Sequence, residues 1–296
     1  MGLLARRQKG VMVWTGMAKL SIIGLIMALA TAFINTIWAI YLDTFVQSVV
    51  IVGLLTAFFT FVAFISRFLF IPLVEKVNKS KIYALSILSM AVAYTLFSIN
   101  TNFYFLIILA TFLTMANTLR VTSFGIIVRD RSSEKKLSRN EGLLYTFLNV
   151  AWVIGPLIAG YVSERYSISL VFMLAAIFAF LSLFLFKISN IKDSNIKKKA
   201  DYGIMRNFFA FFKNKNRTLA YILGGGVNLW WSLVFIFIPL FMIRNNLNKI
   251  WVGWFLFGTA VPLILFEYFF GKLAGKIGFK KIFKIFPFDV QLFFIN

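Results

Sequence analysis

Arg120 is a charged residue inside a long apolar segment, where ionisable side chains are rare and mark functional sites. It lies well before Arg129, which marks the end of that segment. A charge at such depth costs a few kcal/mol, so the guanidinium is expected to face a bundle interior or water. Helical spacing puts Asn117 and Phe124 on the same face. The pattern favours polar recognition of a solute, with a snorkelling arginine near the interface as the alternative.

Glu267 is a second such charge and lies four residues before the end of its apolar segment. An acid inside a span is a natural proton-coupling group. Arg67 occupies the corresponding position 200 residues earlier. Both residues lie within about one helical turn of the end of their segments. The alternative is therefore a pair of hydrated interfacial charges.

Further polar and amphipathic side chains in apolar segments are candidates for lining a solute cavity: Asn35, Asn149, Trp152 and Asn228. Helical spacing places Asn149, Trp152 and Pro156 on one face. Polar groups in spans also hold neighbouring helices together through hydrogen bonds, and this is the alternative for each residue.

The sequence contains few side chains that could act in catalysis. The chain contains no cysteine and no histidine, which excludes thiolate nucleophiles, imidazole bases, disulfides and Cys-based zinc sites. A membrane enzyme would depend on Asp130, Glu134 or Glu141, and the last two are typical of loop and helix-start charges. We therefore expect no enzyme activity, no cofactor and no bound metal.

The elements that carry these residues are membrane spans. Hydrophobic residues make up 60% of the chain and charged residues 14%, and the mean hydropathy is +0.86. A hydrocarbon core ~30 Å thick requires about 20 apolar residues per helix, and a helix satisfies its own backbone hydrogen bonds in lipid. The fold class is thus an all-α polytopic membrane protein with eight segments, at 21–42, 49–70, 82–99, 103–128, 143–162, 167–186, 218–243 and 251–270.

The net charge of +21 reflects membrane topology. The basic residues occupy short gaps between apolar runs, and gaps rich and poor in Lys and Arg alternate along the chain. This positive-inside pattern predicts a cytoplasmic N-terminus. A nucleic-acid partner is not expected, because no basic face interleaved with aromatic residues is present. The partners expected are the lipid bilayer, a small-molecule substrate and protons.

A repeat at an offset of 200 residues organises the chain. Val52-Gly53 opens one apolar segment and Val252-Gly253 opens another. Repeated bundles are how many secondary transporters are built. The repeat predicts a six-helix bundle over 1–188, a basic cytoplasmic linker over 189–216, and a partial bundle of two helices and a short tail over 217–296. It also implies twelve helices, of which about eight are present, so we expect a chain that is incomplete at its C-terminus.

The loops after the second and eighth segments resemble the signature loop of the major facilitator superfamily, Gly-x-Leu-Ala-Asp-Arg-x-Gly-Arg-Lys. The second copy is the closer match and has Gly275 at the acid position; it reads Gly271-Lys272-Leu273-Ala274-Gly275-Lys276-Ile277-Gly278-Phe279-Lys280-Lys281. The first copy keeps the acid as Glu75, followed by Lys76, and has Ile71 and Asn78 in place of the glycines. The resemblance implies two six-helix bundles around a central cavity, with a gating role for the loop residues Glu75, Lys76, Gly271 and Gly278.

The fifth segment resembles an element of drug–proton antiporters in the same superfamily. Gly155-Pro156-Leu157-Ile158-Ala159-Gly160 is similar to their Gly-Pro-x-x-Gly-Gly. Small residues at four-residue spacing let helices approach closely, which assigns Gly155, Pro156 and Gly160 to helix packing. Arg120 resembles the arginine of the family's fourth-helix motif, with Ser123 and Phe124 in place of its Gln and Gly.

Together these features predict a secondary transporter of a small organic solute that works by alternating access, with proton-coupled efflux as one form. We expect it in the cell inner (plasma) membrane, and we expect the 296-residue chain not to transport by itself. The alternative is a non-transporting membrane remnant or a scaffold for other chains. No spacing rule identifies the substrate.

Overall fold

The computed structural model describes residues 5–8, 11–14, 16–132, 134–191 and 204–277. Within these residues, eight helical segments are long and apolar enough to span a membrane, which confirms the expected all-α class and each predicted span. The first six are α1 (Gly16–Val46), α2 (Val49–Lys76), α3 (Lys79–Ile99), α4 (Phe103–Asp130), α5 (Glu134–Arg165) and α6 (Ile168–Ile188).

The remaining helices form the second part of the chain. The predicted linker contains a short helix, α7 (Ile204–Lys213). The seventh span consists of α8 (Lys215–Ser232), a π-helical turn (Leu233–Phe237) and α9 (Ile238–Arg244). The eighth is α10 (Lys249–Ile277). Pro239 explains the π-helical turn, because it lacks the N–H that would bond to the preceding turn and so loosens the helix there.

A short antiparallel hairpin precedes the first span. Its strands are β1 (Ala5–Gln8) and β2 (Val11–Trp14), and Ala5 pairs with Trp14. Hydropathy does not predict this hairpin, although the Val-Met-Val-Trp segment has the composition of a strand.

Several helices have an N-cap residue whose side chain bonds to the first turn. At the start of α3, Asn78 accepts a hydrogen bond from the backbone N–H of Lys81 (2.9 Å). At the starts of α4 and α6, Asn102 accepts from the N–H of Phe105 and Ser167 from the N–H of Leu170. Such caps satisfy N–H groups that have no partner within the helix. Helix α5 begins earlier than its apolar segment, so Asn140 lies inside the helix, where its Nδ2 donates to Ser132 Oγ (2.9 Å).

The first six helices form one bundle around α1, which is the most buried span. Helix α1 packs against α5 and α6, and α3 packs against α4 and α6. Aromatic rings fill the centre: Phe97 stacks on Phe172 with ring centroids 5.2 Å apart, and Tyr41 contacts both rings. Close packing of this kind holds helices together where lipid offers no hydrophobic gain.

The seventh and eighth spans pack mainly against α5 and α1. A second, smaller core joins the two parts of the chain and includes Ile40 of α1, Val234 of the π-helical turn, and Val252 and Leu256 of α10. Helix α8 is largely exposed along its described residues. The contact between the two parts is therefore concentrated at one end of the spans.

The two ends of the bundle are named here by the acidic residues that mark them. The Asp43 end contains the carboxyl ends of α1, α3, α5 and α9 and the amino ends of α2, α4, α6 and α10. The Asp130 end contains the opposite ends of the first six helices. The helix directions alternate because each connection between consecutive spans in the bundle is short.

Candidate functional site

A cavity of about 200 Å³ lies between α1, α2, α3 and α4. Its apolar wall includes Trp38, Phe59 and Leu113, and its polar wall combines hydroxyls, amides and one guanidinium. The polar lining residues are Thr31, Asn35, Arg67, Tyr94, Thr114, Asn117, Thr118 and Thr122. A concave apolar site with a few converging polar groups is the usual form of a small-molecule site.

Helix α1 contributes Asn35 to the cavity, as the sequence analysis expected. Its Nδ2 donates to the carbonyl oxygen of Thr31 at 2.9 Å. The hydroxyl of Thr31 in turn donates to the carbonyl of Met27 at 2.9 Å. These hydrogen bonds to the preceding turn hold both side chains in position. They leave one amide N–H and the amide oxygen of Asn35 available for other hydrogen bonds.

Helix α4 contributes a paired arginine and asparagine. Arg120 donates from Nε (3.1 Å) and Nη2 (2.9 Å) to Oδ1 of Asn117, and Asn117 lines the cavity. This contact uses two of the five guanidinium N–H groups, and the described residues supply no partner for the other three. Asn117 thus orients the guanidinium without neutralising it.

Arg67 of α2 is the charged residue among those lining the cavity. Its side chain is exposed and has no acidic partner among the described residues. In the sequence, the repeat indicates Arg67 only as the counterpart of Glu267 and as an interfacial charge. Arg67 shares with Arg120 the signal of a charge within an apolar segment, but it lies within about one turn of the segment's end, so its depth does not distinguish it from an interfacial charge.

The other candidate cavity residues do not line this cavity. Trp152 of α5 packs edge-on against Phe235 of the π-helical turn, with ring centroids 5.5 Å apart. Asn149 lies one turn earlier on α5. Asn228 of α8 is exposed and donates to the carbonyl of Gly224 at 3.0 Å. Contact of Asn149, Trp152 and Asn228 with a substrate stays a prediction.

Glycines in α5 permit two very close helix crossings. A Cβ at Gly155 would lie 2.6 Å from the Cβ of Ala32 on α1. A Cβ at Gly160 would lie 2.8 Å from the carbonyl oxygen of Lys249 on α10. Pro156 takes part as well, because its carbonyl oxygen would be 2.6 Å from a Cβ at Gly253.

The repeated Val-Gly pairs occupy reciprocal positions between the two parts of the chain. Gly253 of α10 faces Pro156 in the first bundle, whereas a Cβ at Gly53 of α2 would lie 3.4 Å from the ring of Phe237 in the π-helical turn. Val52 and Val252 are both fully buried. Each copy of the repeat thus packs against the opposite part of the chain.

Two ion pairs also join the two parts, both at the Asp43 end. Arg244 at the end of α9 donates from Nη2 to Asp43 Oδ1 at 2.8 Å. Glu164 on α5 accepts a hydrogen bond from the backbone N–H of Lys249 (3.0 Å), and the Lys249 Nζ lies 3.7 Å from the same carboxylate. Glu164 therefore neutralises both the lysine and the positive end of α10.

The Asp130 end carries a different kind of ion pair. Lys79 at the start of α3 contacts Asp130 at the end of α4 at 3.0 Å, so both partners belong to the first bundle. Asp130 is therefore held in a structural contact. Among the described residues, no three acidic side chains gather closely enough to hold a metal ion.

Several predicted residues lie where the structure gives no description of their side chains. Gly278 is outside the described residues. Glu75 and Lys76 are in α2, and Glu267 and Gly271 are in α10, but only their backbones are described. Their gating and proton-coupling roles stay predictions.

Comparison with known sequences gives a match along most of the chain. The profile of the Major Facilitator Superfamily matches residues 20–288. An uncharacterized MFS-type transporter of Methanocaldococcus jannaschii is 24% identical over 163 residues. The matched segment covers 52% of this chain and 41% of that relative, so the match spans less than half of the relative's length.

Solved structures share the fold at low sequence identity. A bacterial homolog of the human lysosomal transporter Spinster, solved in an inward-facing and unoccupied conformation, aligns with a TM-score of 0.65 at 16% identity, covering 91% of this chain and 63% of that one. A POT family transporter in complex with 5-aminolevulinic acid aligns with a TM-score of 0.64 at 12% identity, covering 90% of this chain and 71% of that one.

Proposed function

Because the chain belongs to the major facilitator superfamily, with a match over residues 20–288, we propose that it is a secondary transporter that moves a small organic solute by alternating access. The family membership confirms the resemblance inferred from the two loops, and this family is a class of transporters, not of enzymes. The cavity between α1, α2, α3 and α4 is the observation that carries the proposal. It combines apolar and polar walls inside the span region, as a solute site requires.

The contacts between the two parts of the chain support the alternating-access mechanism. They are concentrated at the Asp43 end, where two ion pairs and the Gly160–Gly253 crossing hold the parts together. The positive-inside pattern assigns the Asp43 end to the outside and the N-terminus to the cytoplasm. With that orientation the structure corresponds to a state closed to the outside.

The chemistry of the closed contacts fits a reversible gate. Ion pairs between partly exposed side chains are weak, and they break and reform at small cost. The two glycines let backbones touch without interlocked side chains, so the surfaces can separate without repacking a core. We assign the Asp43–Arg244 and Glu164–Lys249 pairs to this gate at the Asp43 end. The helix ends that contain Glu75 and Gly271 are assigned to a second gate, at the cytoplasmic end.

Proton-coupled efflux is the finer form of the proposal, and Glu267 is the acid to which we assign coupling. The pH dependence of solute binding by the purified chain tests it. Glu267→Gln is expected to abolish that pH dependence while solute binding persists, because glutamine keeps the shape but cannot exchange a proton. A pH dependence of binding that the variant retains unchanged would remove Glu267 from the coupling site.

The proposal as a whole is tested by solute binding and by uptake. The purified chain is expected to bind a small organic solute in the cavity, and Asn35→Leu is expected to weaken that binding. Uptake by liposomes that contain only the 296-residue polypeptide is expected to be absent. Binding without uptake would agree with both expectations, whereas a folded chain that binds no solute would favour a scaffold.

A further inference from the structure

We infer that the cavity takes a small organic anion, with its carboxylate or phosphate group at Arg67 and Arg120. This assignment of substrate class rests on the proposed function, because it concerns the same cavity. The observation that carries it is the charge balance of the site. Arg67 lines the cavity, and no acidic residue is among the lining residues. Arg120 is not itself a lining residue, but it is hydrogen-bonded to the lining residue Asn117.

The described carboxylates are engaged elsewhere or lie on other elements. Asp43 pairs with Arg244, Asp130 with Lys79, and Glu164 with Lys249, all at the ends of helices. Glu141 lies near the start of α5, which does not line the cavity. Neither Arg67 nor Arg120 is therefore neutralised by a described side chain. Uncompensated charge within a span is unfavourable, and a bound anion would relieve it.

The donors available match an oxyanion group. Asn117 occupies the Nε and Nη2 side of Arg120, so the Nη1 hydrogens and the second Nη2 hydrogen remain for a ligand. Arg67 lines the cavity, and no acidic side chain among the described residues pairs with its guanidinium. Guanidinium groups bind carboxylate and phosphate through paired N–H···O bonds, which fix orientation as well as charge. Asn117 is a positioning residue in this arrangement.

The volume and the apolar wall limit the rest of the ligand. A cavity of about 150 Å³ accommodates a benzene ring, and this one measures about 200 Å³. Trp38, Phe59 and Leu113 supply apolar surface. The site therefore fits a compact body of about one ring together with a single anionic group.

Three probes that share one ring and differ in charge test the assignment: benzoate, benzylamine and benzyl alcohol. Their affinities for the purified chain are measured by calorimetry, together with the shift in melting temperature. We expect benzoate to bind at least about tenfold more tightly than either other probe, because only benzoate forms charge-assisted bonds with the arginines.

Substitutions then locate the anion site. Arg67→Gln and Arg120→Gln are each expected to weaken benzoate binding about tenfold and to leave benzyl alcohol unchanged. Arg67→Lys should lie in between, since it keeps the charge and loses the paired donors. Arg129→Gln is the matched control, because Arg129 is on the same helix as Arg120 but has a half-exposed side chain near Asp130.

The outcomes separate the two proposals. Tighter binding of benzylamine or benzyl alcohol than of benzoate would overturn the anion assignment and leave the transporter proposal standing. Binding of none of the three probes to the folded chain would count against a solute site and thus against both. An unaltered benzoate affinity in both arginine variants would also overturn the assignment.

A lipid headgroup is the other source of an oxyanion. The benzoate measurement is repeated in nanodiscs of phosphatidylcholine alone and of phosphatidylcholine with phosphatidylglycerol. Equal affinity in the two kinds of nanodisc is expected for a solute site. Loss of benzoate binding only with phosphatidylglycerol would show that the lipid phosphate occupies the arginines, and would overturn the assignment to a solute.

Discussion

Removal of the two inter-bundle ion pairs should open the Asp43 end of the protein. The double variant Asp43→Asn, Glu164→Gln keeps the size of both side chains and removes both negative charges. Arg244 and Lys249 then lose their partners, and the amino end of α10 loses the carboxylate that accepts its first N–H. The glycine crossing remains, so the variant changes the balance between conformations without altering the surfaces that pack.

The magnitude follows from the exposure of the groups. The side chains of Arg244 and Asp43 are 40% and 19% exposed, and those of Lys249 and Glu164 are 27% and 31% exposed. Pairs with this much solvent contribute about 0.2–1 kcal/mol each, and a charge at a helix amino end contributes about 0.3–1 kcal/mol. The sum is about 0.7–3 kcal/mol, which changes the ratio of closed to open molecules by a factor of about 3–150.

Distances between spin labels measure this ratio. The chain has no native cysteine, so none has to be removed before a pair of cysteines is introduced for labelling. Tyr104→Cys with Leu247→Cys reports the Asp43 end, and Val77→Cys with Leu219→Cys reports the other end; all four side chains are exposed. The double variant is expected to populate longer distances at the Asp43 end.

The matched control is Lys79→Gln, which breaks an ion pair of similar length within the first bundle. It should leave the distance distribution at the Asp43 end unchanged. If the double variant and the parent chain give the same distribution, or if Lys79→Gln gives the same lengthening, the ion pairs do not form a gate.

Three further predictions concern the same contacts. Gly253→Ala should weaken the contact between α5 and α10 by about 1–3 kcal/mol, because its Cβ would lie 2.6 Å from the Pro156 carbonyl oxygen. The control is Gly258→Ala on the same helix, whose Cβ would meet nothing within 4 Å. The melting temperature of the Gly253 variant should be the lower of the two. Gly155→Ala should likewise lower the melting temperature more than Gly125→Ala, since only the first methyl meets α1 at 2.6 Å. Raising the salt concentration should reproduce part of the opening caused by the double variant, because exposed ion pairs are screened, and label distances measured across a salt series check this.

The positions of the spans were predictable from the sequence, because the thickness of the hydrocarbon core sets the length of every helix and requires each to be apolar. The repeat was equally visible, since Val52-Gly53 and Val252-Gly253 keep a constant offset. Asn35 and Asn117 could be chosen for the cavity because polar groups in apolar segments are few. These features depend on local composition and on distance along the chain, which the sequence states directly.

The tertiary structure alone decided which faces and which distant residues meet. Helix α2 is apolar around nearly its whole circumference, and lipid and protein interior are alike in polarity, so hydropathy did not show that Arg67 faces the cavity. The contacts of Trp152 with Phe235 and of Asp43 with Arg244 depend on how two bundles dock. The residues of these two contacts are 83 and 201 positions apart in the chain. They come together because close packing selects one arrangement of helices, which the residue pattern along a single helix does not indicate.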